Sequence, residues 1–283
     1  MESEFYITSR KHDALLSLTE EQFRDLKRAR KRLSACYAIS HKFRLVLSNF
    51  EMVKETMATL GQLYIQQQCA EELERTKPRL NAFVNNYVLS ARIFTSHLKR
   101  HVQGCLPHDR QVVNILTEKM EKEYQRSYAY RFIDSLYDYV SYFGLSIHSM
   151  RLDSRLRELA NGSLEREYRF KAYIERDFIG GPADFRASVL EETPDRINLM
   201  VLLESANVGL QRLHDLALQL TNDVAIDSQH LISEFINVFV GEHGHEHNNL
   251  FVVHKISGFN DKVYDRFPIS MYVNNHNMEK EYV

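Results

Sequence analysis

Glycine and proline are scarce, with 10 and 5 copies among 283 residues, too few for a turn-rich β-sandwich and well suited to long helices. Cysteine is scarcer still. Cys36, Cys69 and Cys105 are odd in number and widely spaced, which argues against a disulfide framework or a CxxC zinc knuckle and points to a reducing compartment. No apolar run approaches the ~18 residues of a membrane span, and the first ten residues carry Glu2 and Glu4 where a signal peptide has its apolar core. A cytoplasmic protein without membrane attachment is therefore expected. Neither sign of charge dominates, the formal net charge being −2, so contact with nucleic acid has to come from a local patch. Also missing are a Walker loop, a Rossmann glycine fingerprint and a zincin His-Glu-x-x-His. Nucleotide hydrolysis and zinc proteolysis lack support, and no cofactor is called for.

What is present reads mainly as helix. Hydrophobic residues at 44% and charged residues at 26% are ordinary for a folded chain and argue against general disorder. Thr19 followed by Gln22 forms a capping-box pattern that starts a helix near Glu20. Asn49 is expected to cap a second segment over residues 50–75, and Thr76-Lys77-Pro78 to break it, because proline disfavours helix in the residue before it. Leu80, Val84, Tyr87, Ala91, Phe94 and Leu98 then step by four and three along one stripe, ending near Gly104. A helix over residues 109–124 follows Pro107. The next places Tyr128, Phe132, Leu136, Tyr139 and Phe143 on one face up to Gly144. Residues 151–178 are charged and Tyr-rich, and Gly180-Gly181-Pro182 closes them. Thr193-Pro194 reads as an N-cap and first-turn pair for a long helix through Leu199, Leu203, Leu210, Leu213 and Leu220, with a short helix over residues 228–240 after it. Residues 250–256 and 263–269 are β-branched or aromatic runs around Gly258-Phe259-Asn260-Asp261 and predict a hairpin; the residues from Asn274 are polar and expected to fray.

Two segments carry a resemblance. Residues 81–97, Asn-Ala-Phe-Val-Asn-Asn-Tyr-Val-Leu-Ser-Ala-Arg-Ile-Phe-Thr-Ser-His, are followed some forty residues later by residues 130–145, Tyr-Arg-Phe-Ile-Asp-Ser-Leu-Tyr-Asp-Tyr-Val-Ser-Tyr-Phe-Gly-Leu. Together they resemble the HEPN domain proteins of bacterial toxin and antiphage systems, over residues 49–150, about a third of the chain. In that family the second segment typically reads Leu-Arg-Asn-Tyr-x-x-His before a Gly-Leu step, and its Arg and His are the nucleolytic pair. Here Tyr137 stands at the arginine position, Asp138 at the asparagine position and Tyr142 at the histidine position. Metal-independent RNA cleavage needs a base near neutrality and a cation on the phosphate. Tyrosine, with an unperturbed pKa of about 10, supplies neither. The resemblance thus implies a degenerate motif on helices that in the family pair across a homodimer.

At ~100° per residue Arg131, Ser135, Asp138 and Tyr142 share a narrow polar stripe, while Tyr137 points away. That stripe is either a remnant pocket or a solvated helix boundary with an Arg131–Asp138 pair of little worth. Arg92 and His97 reproduce the bare Arg-x4-His spacing one helix earlier, but their directions differ by about 140°. They are candidates for relocated catalysis or ordinary boundary residues. His243, His245 and His247 alternate, so an extended strand would align three imidazoles for a metal, whereas a polar loop would not. The basic run with Arg24, Lys27, Arg28, Arg30, Lys31 and Arg32 is a candidate for RNA phosphates, or a solvated helix whose charges lie on several sides.

The expectation is an all-α, HEPN-like helical bundle over residues 19–155, then a helical extension with a small C-terminal β element over residues 156–283. Its expected role is that of a degenerate homodimer binding RNA or a protein partner in a defence or toxin and antitoxin setting. The rivals are an active RNA endonuclease using Arg92, His97 or Arg131, and a helical scaffold unrelated to RNA.

Overall fold

A computed structural model of the chain describes residues 2–9, 14–66, 70–158, 162–180, 185–244, 249–257 and 262–270. In order they form β1 (Glu2–Ser9), β2 (Leu15–Leu18), α1 (Glu20–Gln66), α2 (Ala70–Cys105), α3 (Arg110–Arg126), α4 (Tyr128–Phe143), β3 (Ser149–Glu158), β4 (Leu164–Glu175), α5 (Arg176–Ile179), α6 (Ala187–Glu191), β5 (Arg196–Asn198), α7 (Leu199–His243), β6 (Leu250–Ser257) and β7 (Lys262–Pro268). The protein is mainly helical, with two small antiparallel sheets. No helix among the described residues is long and apolar enough to cross a membrane.

The capping box is made. Thr19 Oγ1 accepts from Gln22 N at 3.1 Å and the Gln22 side chain accepts from Thr19 N at 2.8 Å, so two orphan donors at the start of α1 are satisfied together. Three expected helix boundaries are absent. Asn49 lies inside α1, its amide turned to Ser90 Oγ on α2 at 3.2 Å rather than to its own backbone. α2 runs through Pro78; Glu74 and Pro78 are both exposed, so the carbonyl that the proline leaves without a donor sits on the solvent side. At the other long helix, Asn198 caps α7, its Oδ1 accepting from Val201 N at 3.3 Å. Thr193 instead bonds Val189 O and Tyr128 Oη, and α7 continues unbroken through residues 228–240.

Two compact units emerge, one from Met1–Ile39, Arg100–Val113 and Ala217–Val283, the other from Ser40–Lys99 and Asn114–Leu216. In the first, the sheet runs β2-β1-β6-β7. Its apolar residues Ile7, Val252 and Phe267 join Phe23, Leu26, Ile232 and Phe239 of the helices in one buried cluster. The expected C-terminal hairpin is thus present as β6 and β7, in register from Phe251↔Pro268 to His254↔Asp265 before a bulge, but it is half of a sheet whose other half is the N-terminal β1 and β2. The turn at 258–261 and the residues from 274 lie outside the described residues.

In the second unit, the charged stretch expected to belong to a helical extension is instead the β3–β4 hairpin, ten pairs from Ser149↔Tyr173 to Glu158↔Leu164, with β5 added at Tyr173↔Asn198. Its core is built on the predicted stripes. Tyr87, Phe94, Phe132, Leu136, Leu203 and Leu210 are at most 1% exposed. The Tyr87 hydroxyl, which burial forces to find a partner, donates to Asn207 Oδ1 at 2.8 Å.

Candidate functional site

α4 is the element around which the resemblance turns. It starts at Ser127, whose Oγ accepts from Tyr130 N at 3.2 Å, and buries Phe132, Ile133, Leu136 and Tyr139. It stops at Gly144, whose φ of +67° lies in the left-handed region that glycine adopts without a Cβ penalty; the Gly144 N–H donates to Val140 O at 2.9 Å. The carbonyl of Gly144 is then gripped from α2, where Asn81 and Asn85 Nδ2 donate to it at 2.6 and 2.8 Å. Asn81 Oδ1 in turn accepts from the backbone N and the Oγ of fully buried Ser146, at 2.7 and 3.0 Å. The two segments that carry the resemblance therefore meet through an asparagine clamp.

The three positions that the resemblance aligns with its motif do not form one pocket. Tyr137 is half-buried beneath Arg92, whose guanidinium lies 5.7 Å from the ring centre. Arg92 is bound to the Asp134 carboxylate, a group 10% exposed, whose second oxygen takes Arg186 at 2.7 Å. Asp138 is exposed and Tyr142 is 80% exposed. Arg131 does not pair with Asp138. Its Nη1 donates to the Tyr124 and Gln125 carbonyls at 2.9 and 2.6 Å, closing the last turn of α3, and its Nη2 meets Glu192 at 2.5 Å. Ser135 is buried and bonds the Arg131 carbonyl, so the expected polar stripe divides between interior and surface.

Arg92 and His97 face different helices. Arg92 reaches α4, whereas His97 Nδ1 stands 2.6 Å from Lys42 Nζ of α1. Such a hydrogen bond from an ammonium needs an unprotonated Nδ1. Within α4, burial pushes the Tyr130 phenol up to about 12 and raises that of Tyr139, so both keep their protons at neutral pH. The histidine nearest α4's end is His148. Its Nδ1 accepts from Glu175 N at 3.1 Å, Phe178 stacks on it at 4.8 Å, and burial lowers its pKa.

Three of the six basic residues of the α1 run are matched by acids. Arg24 pairs with Glu20, Arg28 with Asp25 at 2.5 Å, and Lys27 with Asp265 at 2.6 Å, while Lys31 is exposed. His243 ends α7 with Nε2 3.2 Å from Leu15 O; His245 and His247 lie outside the described residues. No group of three or more His, Cys, Asp or Glu among the described residues could hold a metal ion.

Sequence reasoning missed a cavity of about 520 Å³ at the α3–α4 junction, whose lining includes Arg126, Arg196 and Arg212 together with Tyr128, Val201 and Val208. Arg212 is held by two bonds to Glu123, at 2.9 and 2.7 Å, and Arg196 by Glu175 at 2.9 Å; Arg126 has no ion pair among the described residues. Glu123 has a side chain only 2% exposed, and hydrogen bonds from Arg212, against the opposing effect of burial, keep its carboxyl below the usual range. Asn81 and Asn85 were visible as an i, i+4 pair; Arg186 and the cavity arginines come from distant segments and gave no local signal. Comparison with protein-family models, curated proteins and solved structures finds no match for the chain.

Proposed function

We propose that this chain is a catalytically degenerate relative of the HEPN ribonucleases that works by binding a protein partner, in the first place a second copy of itself, in the defence or toxin and antitoxin setting the resemblance implies. The observation that carries the reading is the dispersal of the basic groups. A base and a cation have to converge on one phosphate, yet Arg92 and His97 face different helices, Arg92 bound to Asp134 over Tyr137 and His97 beside Lys42 of α1. In place of a pocket, the end of α4 offers a run of touching rings. Tyr142 and Phe143 are 80% and 59% exposed; Phe143 lies 5.0 Å from Tyr139, which leads through His148 to Phe178, 63% exposed. Exposed aromatic surface of this kind marks a place where another protein is received.

RNA binding is the second reading, favoured by the arginine-lined cavity with Arg126 unpaired among the described residues. One set of measurements separates the possibilities. With EDTA present, purified protein is expected to leave single-stranded RNA intact and to sediment as a dimer at micromolar concentration, and Tyr142→Glu with Phe143→Ser should give monomers. A wild-type monomer overturns the self-association. Metal-independent cleavage abolished by Arg92→Ala or His97→Ala overturns degeneracy and promotes the relocated endonuclease. Salt-dependent RNA binding lost in Arg126→Ala selects the second reading.

A further inference from the structure

In the unit that contains the four-stranded sheet, α1 and α2 bring two thiols together. Cys36 Sγ on α1 and Cys105 Sγ at the end of α2 are 3.3 Å apart, although 69 positions separate them in the chain. The helices lie close here: a Cβ on Gly104, the residue before Cys105, would come into contact with the Cβ of Ala35, the residue before Cys36, at 3.4 Å. Both cysteines are free thiols, Cys36 half-buried and Cys105 fully buried. We propose that Cys36 and Cys105 are a peroxide-reactive dithiol, Cys36 the sulfur that attacks a hydroperoxide and Cys105 the one that resolves it into an intramolecular disulfide joining α1 to α2.

The division of labour follows from hydrogen bonding and access. The contact with Cys105 lowers the Cys36 pKa, burial opposes this, and a hydrogen bond with Thr221 adds to the lowering. The same contact and burial raise Cys105, whose S–H also has the Arg32 carbonyl within reach at 3.7 Å. The thiolate is the attacking form, so the more exposed and more acidic thiol reacts first. The Cys36 thiolate attacks the terminal oxygen of the hydroperoxide; an S–O bond forms, the O–O bond breaks, and the departing alkoxide takes up the proton released when Cys36 ionised and leaves as alcohol. The resulting sulfenic acid lies beside Cys105. Cys105 sulfur then attacks Cys36 sulfur, the S–O bond breaks, and hydroxide leaves with the Cys105 proton as water. Two thiols and one hydroperoxide become one disulfide, one alcohol and one water. A sulfenic acid next to a second thiol follows this course in preference to further oxidation.

The full chain carrying Cys69→Ser has only these two thiols and isolates the pair. Treated with hydrogen peroxide, it is expected to lose both alkylatable thiols together and two hydrogen atoms of mass. Digestion should yield a linked peptide containing Cys36 and Cys105, and dithiothreitol should reverse every change. In a chain that also carries Cys105→Ser, Cys36 should persist as a sulfenic acid that dimedone captures. Two thiols that stay alkylatable in excess peroxide, a disulfide between chains, or Cys36 driven to sulfinic acid with Cys105 still free would each overturn the proposal. Circular dichroism matching that of the unsubstituted chain establishes that both variants are folded.

Discussion

Replacing Asn81 by alanine removes three hydrogen bonds that hold the chain leaving α4. One of them is partly replaced, since the Gly144 carbonyl keeps Asn85 as a donor at 2.8 Å, so its loss costs less than about 1 kcal/mol. The others are not. Ser146 is fully buried, and its N–H, bonded to Asn81 Oδ1 at 2.7 Å, has no water to turn to. Stranding a buried donor costs about 1–3 kcal/mol, the Ser146 hydroxyl loses about a further 0.5 kcal/mol, and alanine returns about 0.5 kcal/mol through its higher helix propensity. The expected loss is about 2–3 kcal/mol in a urea titration followed by circular dichroism, with faster amide exchange over residues 142–146. Ser146→Ala, which leaves the backbone donor paired, should cost less than about 1 kcal/mol. An Asn81→Ala variant within about 0.5 kcal/mol of the wild type, or equal costs for the two substitutions, would show that the asparagine does not hold this turn.

Gly144→Ala forces a side chain into a backbone with φ of +67° and should lower stability by about 1 kcal/mol, read in the same titration. Glu123→Gln removes a charge held by two bonds from Arg212; because Arg212 is one-third exposed and partly rehydrates, the loss should be nearer about 2 than the 3–5 kcal/mol of a fully buried pair. The folded carboxyl of Glu123 is held low, so its stabilisation is present above about pH 4.3 and lost as pH falls through the folded value; acid titration of the variant should be flatter there. His148 has linkage of the same sign in a higher pH window. Its folded pKa is lowered, the unfolded chain therefore binds more protons below about pH 6.5, and stability should fall from pH 7.5 to 5.5, less so in His148→Gln. An equal fall in that variant would show that His148 does not carry the effect.

How much of this was legible depended on how local the determining interaction was. Thr19 and Gln22 cap a helix start with atoms three residues apart, and the sequence reveals it. The stripe from Leu80 to Leu98 was legible for the same reason, being apolar at helical spacing and buried as expected. Asn49 misled because an asparagine is as ready to bond a neighbouring helix as to cap its own, and only the position of Ser90 decides between them. The β3–β4 hairpin escaped because its outer half is exposed on both faces, so arginines and glutamates fill positions where a half-buried strand would alternate with apolar residues. At the candidate site, the tyrosines that the resemblance aligns with Arg and His could be read directly, but the partners that separate Arg92 and His97 lie on α4 and α1, where no spacing rule points.

The sheet order β2-β1-β6-β7 places the first strand of the chain beside one of the last. A ribosome releases β1 well before β6, and β2 can pair with one edge of β1 within moments. The other edge must wait for β6, which at 5–20 residues per second arrives on the order of 10–50 s later. In that interval Glu2–Ser9 presents an open row of amides and carbonyls, the template on which foreign strands add. The N-terminal hairpin is thereby a dependency of nascent chains on whatever shields such edges, and any product truncated before Leu250 retains that open edge for its lifetime.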